Sequence, residues 1–163
     1  MRLLGLMRIL VTILPALLLV SCIPPMAPEN GGVGPARGVS VEFYLVHDTP
    51  QPDLVERQVP RSGMTIRIAP KPDVATSDIA WATMEHDEIR GRPVVIVHLT
   101  PMGQSKLATL TSQNVGKWMA IAVDGEFIAT PLIQEPIRDG RVSIVGFRSV
   151  EEAQRVADGL ARR

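Results

Sequence analysis

Cys22 is the only thiol in this 163-residue chain, and its position is the strongest chemical signal in the sequence. A thiol can form a disulfide, bind a metal or carry an acyl group, and a lone cysteine has no disulfide partner in its own chain. Cys22 follows Leu19-Val20-Ser21, at the end of a segment that carries Arg2 and Arg8 and then an apolar run, 9–20. A short basic stretch, an apolar stretch and small residues before a cleavage point are typical of a secretory signal.

A secretory signal that ends in cysteine resembles the lipobox of bacterial lipoproteins. The resemblance implies cleavage between Ser21 and Cys22, diacylglycerol on the Cys22 sulfur and a further acyl chain on its new amino group. Each buried methylene contributes ~0.8 kcal/mol, so that two or more chains anchor a protein stably whereas one does not. The second residue after the cysteine is Pro24 rather than Asp. In the lipoprotein-sorting pattern, that absence indicates the outer membrane, facing the periplasm. We therefore expect a lipid-anchored protein of the cell envelope that contacts the bilayer through acylated Cys22.

Two alternatives to lipidation differ in strength. A transmembrane helix needs ~20 apolar residues, whereas the run 9–20 is shorter and is interrupted by Pro15. An ordinary secretory signal followed by an unmodified cysteine remains open. The lone thiol favours the lipid, because an unpaired cysteine in an exported protein needs another explanation.

The composition divides the chain into three parts. Residues 1–21 are the predicted lipoprotein signal peptide, and 22–38 are the acylated cysteine with a tether rich in proline and glycine. Such a stretch is a flexible linker. Residues 39–163 are predicted to form one domain, long enough to bury a core without a metal or disulfide. Without the signal, 15 basic and 17 acidic residues remain and no basic patch stands out. Nucleic acid is therefore not an expected partner.

The other residues that could do chemistry do not form a catalytic or metal-binding set. His47, His86 and His98 lie in separate segments without metal-ligand spacing. The cluster at 86–88, His-Asp-Glu, could act as an acid and base, but a solvated hairpin end explains it without any nucleophile motif. The serines that we considered have no Gly-x-Ser-x-Gly frame; they are Ser105, Ser112 and Ser143. We therefore expect no enzyme activity, no cofactor and no metal.

Glycines and tryptophans also have structural interpretations. The glycine-rich sequence at 31–34 follows no predicted strand, so that it is not a phosphate-binding loop. Trp81 and Trp118 are predicted to pack in the core or to be half-buried, rather than to stack on a ligand.

Alternating and apolar patterns predict strands and two helices. The predicted strands are 41–46, 64–69, 79–88, 93–99, 117–123, 126–130 and 141–145. The pattern of 79–88 alone fits a strand or a helix, and pairing with 93–99 in a hairpin favours the strand. A long connection through Pro50, Pro52 and Pro60 is predicted between the first two strands. The turn residues Arg90-Gly91 and Asp124-Gly125 each predict a hairpin, the second with a type I′ turn.

Each predicted helix has a recognisable start. Thr100-Pro101 is a favourable entry for a helix that runs to about Gln113 and ends near Asn114 and Gly116. Ser149 and Glu152 form the pattern of a capping box. The apolar face that follows it is Val150, Ala153, Val156, Ala157 and Leu160. The predicted fold class is α+β, with a mainly antiparallel or mixed sheet and two amphipathic helices packed on one face.

Several segments in the second half share one order and spacing with a known family. They are Gly103, 111–117, 120–125, Pro131, 135–137, 140–141, Ile144, 146–147 and 152–153, and upstream 76–79 and 94–99 fit the start of the same pattern. This order resembles the head subdomain in the first periplasmic domain of SecD, the export-assisting membrane protein. The resemblance implies contact with polypeptide chains. Proton-driven transport does not carry over, because it belongs to the membrane part of SecD.

The resulting functional hypothesis is a lipid-anchored envelope protein whose SecD-head-like domain contacts a protein or unfolded polypeptide and assists protein export. The alternative is a structural or assembly lipoprotein that binds another envelope component and has no link to secretion.

Overall fold

The computed structural model describes residues 38–161, which belong to one compact unit. The predicted signal peptide, Ser21, Cys22 and the tether as far as residue 37 lie outside the described residues. The helices are α1 (Pro101–Gln113) and α2 (Val150–Ala161), and a 3-10 turn covers Thr76–Asp78. The strands are β1 (Val41–Leu45), β2 (Val55–Val59), β3 (Met64–Ile68), β4 (Ile79–Asp87), β5 (Arg92–Leu99), β6 (Met119–Val123), β7 (Glu126–Ala129) and β8 (Arg141–Ile144).

These strands form three antiparallel sheets, with the orders β1-β6-β7, β2-β3 and β4-β5-β8. The predicted α+β class is confirmed. The structure divides the strands over three sheets where the prediction had one.

The main core lies between the inner faces of the two three-stranded sheets. Apolar side chains alternate along their strands, as the period of two in a β-strand requires, and Phe43, Ile121 and Val97 are fully or nearly fully buried. Both helices contribute to this core. The inward residues of α2 follow helical spacing; they are Ala153, Val156, Ala157 and Leu160. Helix α1 contributes Leu107, and its other buried residues are Gly103 and Thr111.

The hairpin β2-β3 covers the other face of the sheet β1-β6-β7. Its buried residues Val59 and Ile66 pack with Tyr44 and Phe127, whose rings meet edge to face at 5.7 Å. Strand β2 was not predicted, because its sequence Val-Glu-Arg-Gln-Val is mainly polar and buries only Val59. The predicted long connection between β1 and β3 therefore contains a strand that was missed.

Local signals gave several correct predictions. The hairpins β4-β5 and β6-β7 are confirmed, and Asp124 and Gly125 have φ of 50° and 82°, as a type I′ turn requires. The hydroxyl of Thr100 caps α1 by accepting a hydrogen bond from the Gly103 N–H at 3.1 Å.

Predictions for α2 and the two tryptophans were correct except at Val150. Val150 does not face the core, since its side chain is 42% exposed. Ser149 caps α2 by accepting a hydrogen bond from the Glu152 N–H, but the Glu152 carboxylate accepts its bond from the Arg148 N–H. Ser149 thus caps α2 as predicted, and Glu152 reaches back, to the residue before the cap. Trp81 and Trp118 are about half-buried, at 45% and 41% exposed, which is one of the two predicted placements.

Candidate functional site

A groove of about 250 Å³ lies between β8 and the loop 131–137 and is called the β8 groove below. Its lining combines apolar side chains with a polar rim. The apolar lining is Met119, Ile121, Pro131, Leu132, Ile133, Ile137 and Val142, and the rim is Gln134, Glu135, Arg141 and Ser143.

Backbone hydrogen bonds hold the first part of the loop beside β6. The Met119 N–H donates to the Pro131 carbonyl at 2.9 Å, and the Ile133 N–H donates to the Lys117 carbonyl at 2.8 Å. Trp118 and Leu132 thereby form an antiparallel bridge. This short bridge keeps one wall of the groove at a fixed distance from its floor.

Helix α1 holds the second part of the loop. The buried Thr111 hydroxyl accepts a hydrogen bond from the Ile137 N–H at 2.9 Å and donates one to the Leu107 carbonyl at 2.8 Å. The Gln104 amide donates to the Arg138 carbonyl at 2.6 Å. The loop is therefore fastened at both ends, and the groove is preformed.

Leu132, which lines the groove, and its bridge partner Trp118 also expose apolar surface. As bridge partners they project to the same side, and each is 41% exposed. Large apolar side chains that adjoin a groove and have a polar rim are typical of an interaction surface. The arrangement is suited to binding.

The histidines do not converge. His98 on β5 stacks on Trp81 of β4 with ring centroids 3.6 Å apart, whereas His86 is exposed on β4 and His47 follows β1. Within residues 38–161, no group of three His, Cys, Asp or Glu side chains could hold a metal ion. The serines are also dispersed: Ser105 and Ser112 lie on α1, and Ser143 lies on β8.

The cluster at 86–88 is the exposed end of the hairpin β4-β5. The Asp87 carboxylate accepts hydrogen bonds from the Ile89 and Arg90 N–H groups and from the Arg90 guanidinium at 2.9 Å. The side-chain hydrogen bond from Arg90 is the main reason that the pKa of Asp87 is lowered. Asp87 thus organises the turn, which supports the structural interpretation of this cluster.

One buried carboxylate has a structural partner. Asp78, in the 3-10 turn, lies 2.8 Å from the Lys106 ammonium of α1 and also accepts a bond from the Ala75 N–H. Burial acts to raise the pKa of Asp78, but the hydrogen bonds from Lys106 and Ala75 outweigh it and lower the pKa below the ordinary value. The pair fastens α1 to the turn.

The chain belongs to a known family. Residues 52–161, more than half of the chain, match the family model described as "SecDF, P1 head subdomain". This match confirms the resemblance to the SecD head that the motifs indicated.

Relatives and solved structures agree with this membership. The chain is 43% identical over 84 residues to the protein translocase subunit SecD of Thermobaculum terrenum, covering 52% of this chain and 16% of that protein. It is 40% identical over 86 residues to SecDF of Thermus thermophilus, covering 53% and 12%. A structure of SecDF, described as a membrane component that enhances protein export, aligns with TM-score 0.62 and 29% identity, covering 75% of this chain and 61% of the other. The chain thus spans less than a fifth of the length of these two relatives.

Among the helices of residues 38–161, none has the length and the apolar character that a membrane span needs.

Sequence reasoning did not find the groove. Its lining comes from β6, the loop 131–137 and β8, which are adjacent only after folding. The motif residues Pro131, 135–137 and Arg141 were noted as part of the family pattern, but no local signal shows that they surround one cleft. The predicted lipidation residues, Cys22 and Ser21, cannot be compared with it because they lie outside the described part of the chain.

Proposed function

We propose that this chain is a lipid-anchored cell-envelope protein whose SecD-head-like domain contacts polypeptides in the β8 groove and assists their export. The observation that carries the proposal is the match to the SecDF P1 head over residues 52–161. The groove supports it, because its apolar lining and the exposed Trp118–Leu132 pair suit a polypeptide partner. The domain acts by binding, with no chemical turnover.

Lipid anchoring is the second element of the proposal. It rests on Cys22 at the end of a secretory signal, with cleavage after Ser21. Acylation would hold the domain at a membrane surface at the end of a tether, and Pro24 favours the outer membrane, facing the periplasm. Cys22→Ser should abolish incorporation of radiolabelled palmitate and leave the signal uncleaved. Equal palmitate labelling of the variant and the parent would contradict the anchor.

Photo-crosslinking in living cells tests the binding role. A photoreactive amino acid replaces Leu132 beside the groove, and a matched control replaces Thr109, which is exposed on α1 and does not line the groove. We expect the photoreactive residue at position 132 to crosslink to exported polypeptides in transit or to translocon subunits. The yield of these crosslinks should be several-fold lower from position 109.

A specific alternative would give a different crosslinking pattern. A structural or assembly lipoprotein would give one dominant crosslink to a folded envelope protein, unchanged when export is blocked. The export role requires that the crosslinks from position 132 to exported polypeptides disappear when the supply of exported chains stops.

A further inference from the structure

Strand β8 forms one edge of its sheet: one side of its backbone pairs with β5, and the other side has no neighbouring strand in the described part of the chain. The Leu99 N–H donates to the Gly140 carbonyl at 2.9 Å, and the register continues with Val97 opposite Val142. Hydrogen-bonded pairs alternate along an antiparallel ladder, so that Val142 and Ile144 direct their N–H and C=O groups toward β5. Ser143, between them, therefore directs its N–H and C=O groups toward the free edge.

The described part of the chain places no strand on that free edge. Ser143 and Val145 are exposed, and Ser143 lines the β8 groove. The Arg141 N–H donates a hydrogen bond to the carboxylate of Asp139 at 3.1 Å. The backbone groups of this edge that are available to a partner therefore begin at Ser143. A row of unpaired backbone groups on an edge strand can pair with another extended chain.

The edge of β4, at the other side of the same sheet, has features that discourage such pairing. Its register is interrupted between Ile79 and Trp81, and its far end carries Glu85 and Asp87, with Glu88 directly after it. Bulges and edge charges are the usual means by which proteins protect an edge. Of these two edges, β8 is the one that adjoins an apolar groove.

The volume and the charges of the β8 groove bear on the class of its occupant. At about 250 Å³ it is smaller than the ~300–1,000 Å³ of typical small-molecule pockets. Glu135 and Arg141 give the rim one charge of each sign. This balance does not suit a polyanion such as nucleic acid or an anionic membrane surface, whereas it is complementary to a chain without strong net charge.

We propose that the β8 groove binds an extended polypeptide segment by strand addition: the segment pairs with the free edge of β8 and places alternate apolar side chains in the groove. In this mode the main-chain hydrogen bonds provide affinity for any extended chain, and the groove selects apolar residues at every second position. The inference rests on the proposed function and specifies how the polypeptide is recognised.

N-methylated peptides test this mode without altering the protein. The probe is an eight-residue peptide with valine at alternate positions and serine or lysine between them. Two further versions carry N-methyl groups on the valine amides or on the intervening amides. Only one alternate set of amides faces β8 in an added strand, so that one version should lose at least about tenfold in affinity. The other should bind within about threefold of the unmodified peptide.

Amide NMR of the full chain locates the contact. The unmodified peptide should shift the signals of 131–137 and 141–145, and hydrogen exchange of the Ser143 N–H should slow at least about tenfold when a new hydrogen bond protects it. Leu132→Lys should weaken binding, whereas Thr109→Lys, on the exposed face of α1, should not. Ser143→Pro removes the outward N–H and should weaken binding more than Ser143→Ala.

The outcomes separate this inference from the function on which it rests. Peptide binding that is equally sensitive or insensitive to both methylation patterns, or that leaves exchange at Ser143 unchanged, overturns strand addition while a polypeptide-binding role stands. If no peptide binds and position 132 forms no crosslinks to exported polypeptides or translocon subunits in exporting cells, both the inference and the proposed function are overturned.

Discussion

The outer edges of β1 and β8 differ in the hydrogen bonding of their outward backbone groups. On β1, the segment 73–76 satisfies the outward backbone groups one after another: Val41 bonds with the Thr76 hydroxyl at 2.9 and 3.0 Å, and the Phe43 N–H donates to the Val74 carbonyl at 2.9 Å. The Leu45 N–H donates to the Asp73 carboxylate at 2.7 Å. On β8, nothing in the described residues pairs with Ser143 from the free side.

This difference separates structure from function. The edge of β1 borders the main core, where an unpaired amide would cost about 1–3 kcal/mol, and two polar side chains complete what a neighbouring strand would otherwise supply. The edge of β8 is exposed to solvent, so that leaving its backbone groups unpaired costs little free energy. An open edge beside an apolar groove is available for a partner.

The largest effect is expected where α1 supports the closed edge. A Cβ atom at Gly103 would lie 2.3 Å from the Asp78 carbonyl oxygen, which is backbone and cannot move aside without displacing the 3-10 turn. Gly103→Val should therefore destabilise the protein by about 3 kcal/mol in urea unfolding. Ser105→Val, on the exposed side of the same helix, is the matched control and should change stability by less than about 0.5 kcal/mol. Equal stabilities would mean that α1 does not pack on the turn as described.

The second-largest effect is expected when the hydrogen bonds that satisfy the edge of β1 are removed. Thr76→Val keeps the shape of the side chain but removes both of its hydrogen bonds with the backbone of the fully buried Val41. We expect a loss of about 2 kcal/mol and faster hydrogen exchange of the Val41 amide. Thr83→Val, on an exposed position of β4, provides the comparison. Unchanged exchange at Val41 would contradict the hydroxyl's role.

A smaller, pH-dependent effect is expected at the ion pair behind that edge. Lys106→Met leaves the buried Asp78 carboxylate without its cation; because Lys106 is partly exposed, we expect a loss of about 1–2 kcal/mol at pH 7. The pKa of Asp78 is lowered in the folded protein, so that its stabilising contribution is present above the unfolded pKa and disappears as the pH falls through the folded one. The difference between parent and variant in urea midpoints should therefore shrink in acid. A constant difference from pH 7 to pH 3 would exclude the pair as its cause.

The smallest effect is expected on the open edge. Ser143→Pro removes an N–H that makes no ladder bond, so that stability should fall by less than about 1 kcal/mol, as proline is tolerated on edge strands. Val142→Pro, one residue away, removes an inward N–H and leaves its acceptor on β5 without a partner, so that it should cost about 2 kcal/mol. Similar losses for the two variants would show that the orientation assigned to β8 is wrong.

Local patterns predicted the fold where short-range physics decides it. The Asp124-Gly125 turn, the Thr100 cap and the inward face of α2 were all identified from neighbouring residues. Strand β2 was missed because its polar sequence becomes a strand only through pairing with β3 and burial of Val59. Val150 was placed inward wrongly because it lies in the first turn of α2, where helical periodicity alone does not show how far the core extends.

The sequence by itself determined the family, the α+β class and the prediction of an anchor at Cys22, since these depend on residue order and local periodicity. Only the tertiary structure decided which sheet edge is closed and which is open. Asp73 and Thr76 reach β1 across 28 and 35 positions of the chain. The groove beside β8 likewise brings together residues from three separate segments. Such contacts arise from the packing of sheets around a common core, which no local pattern encodes.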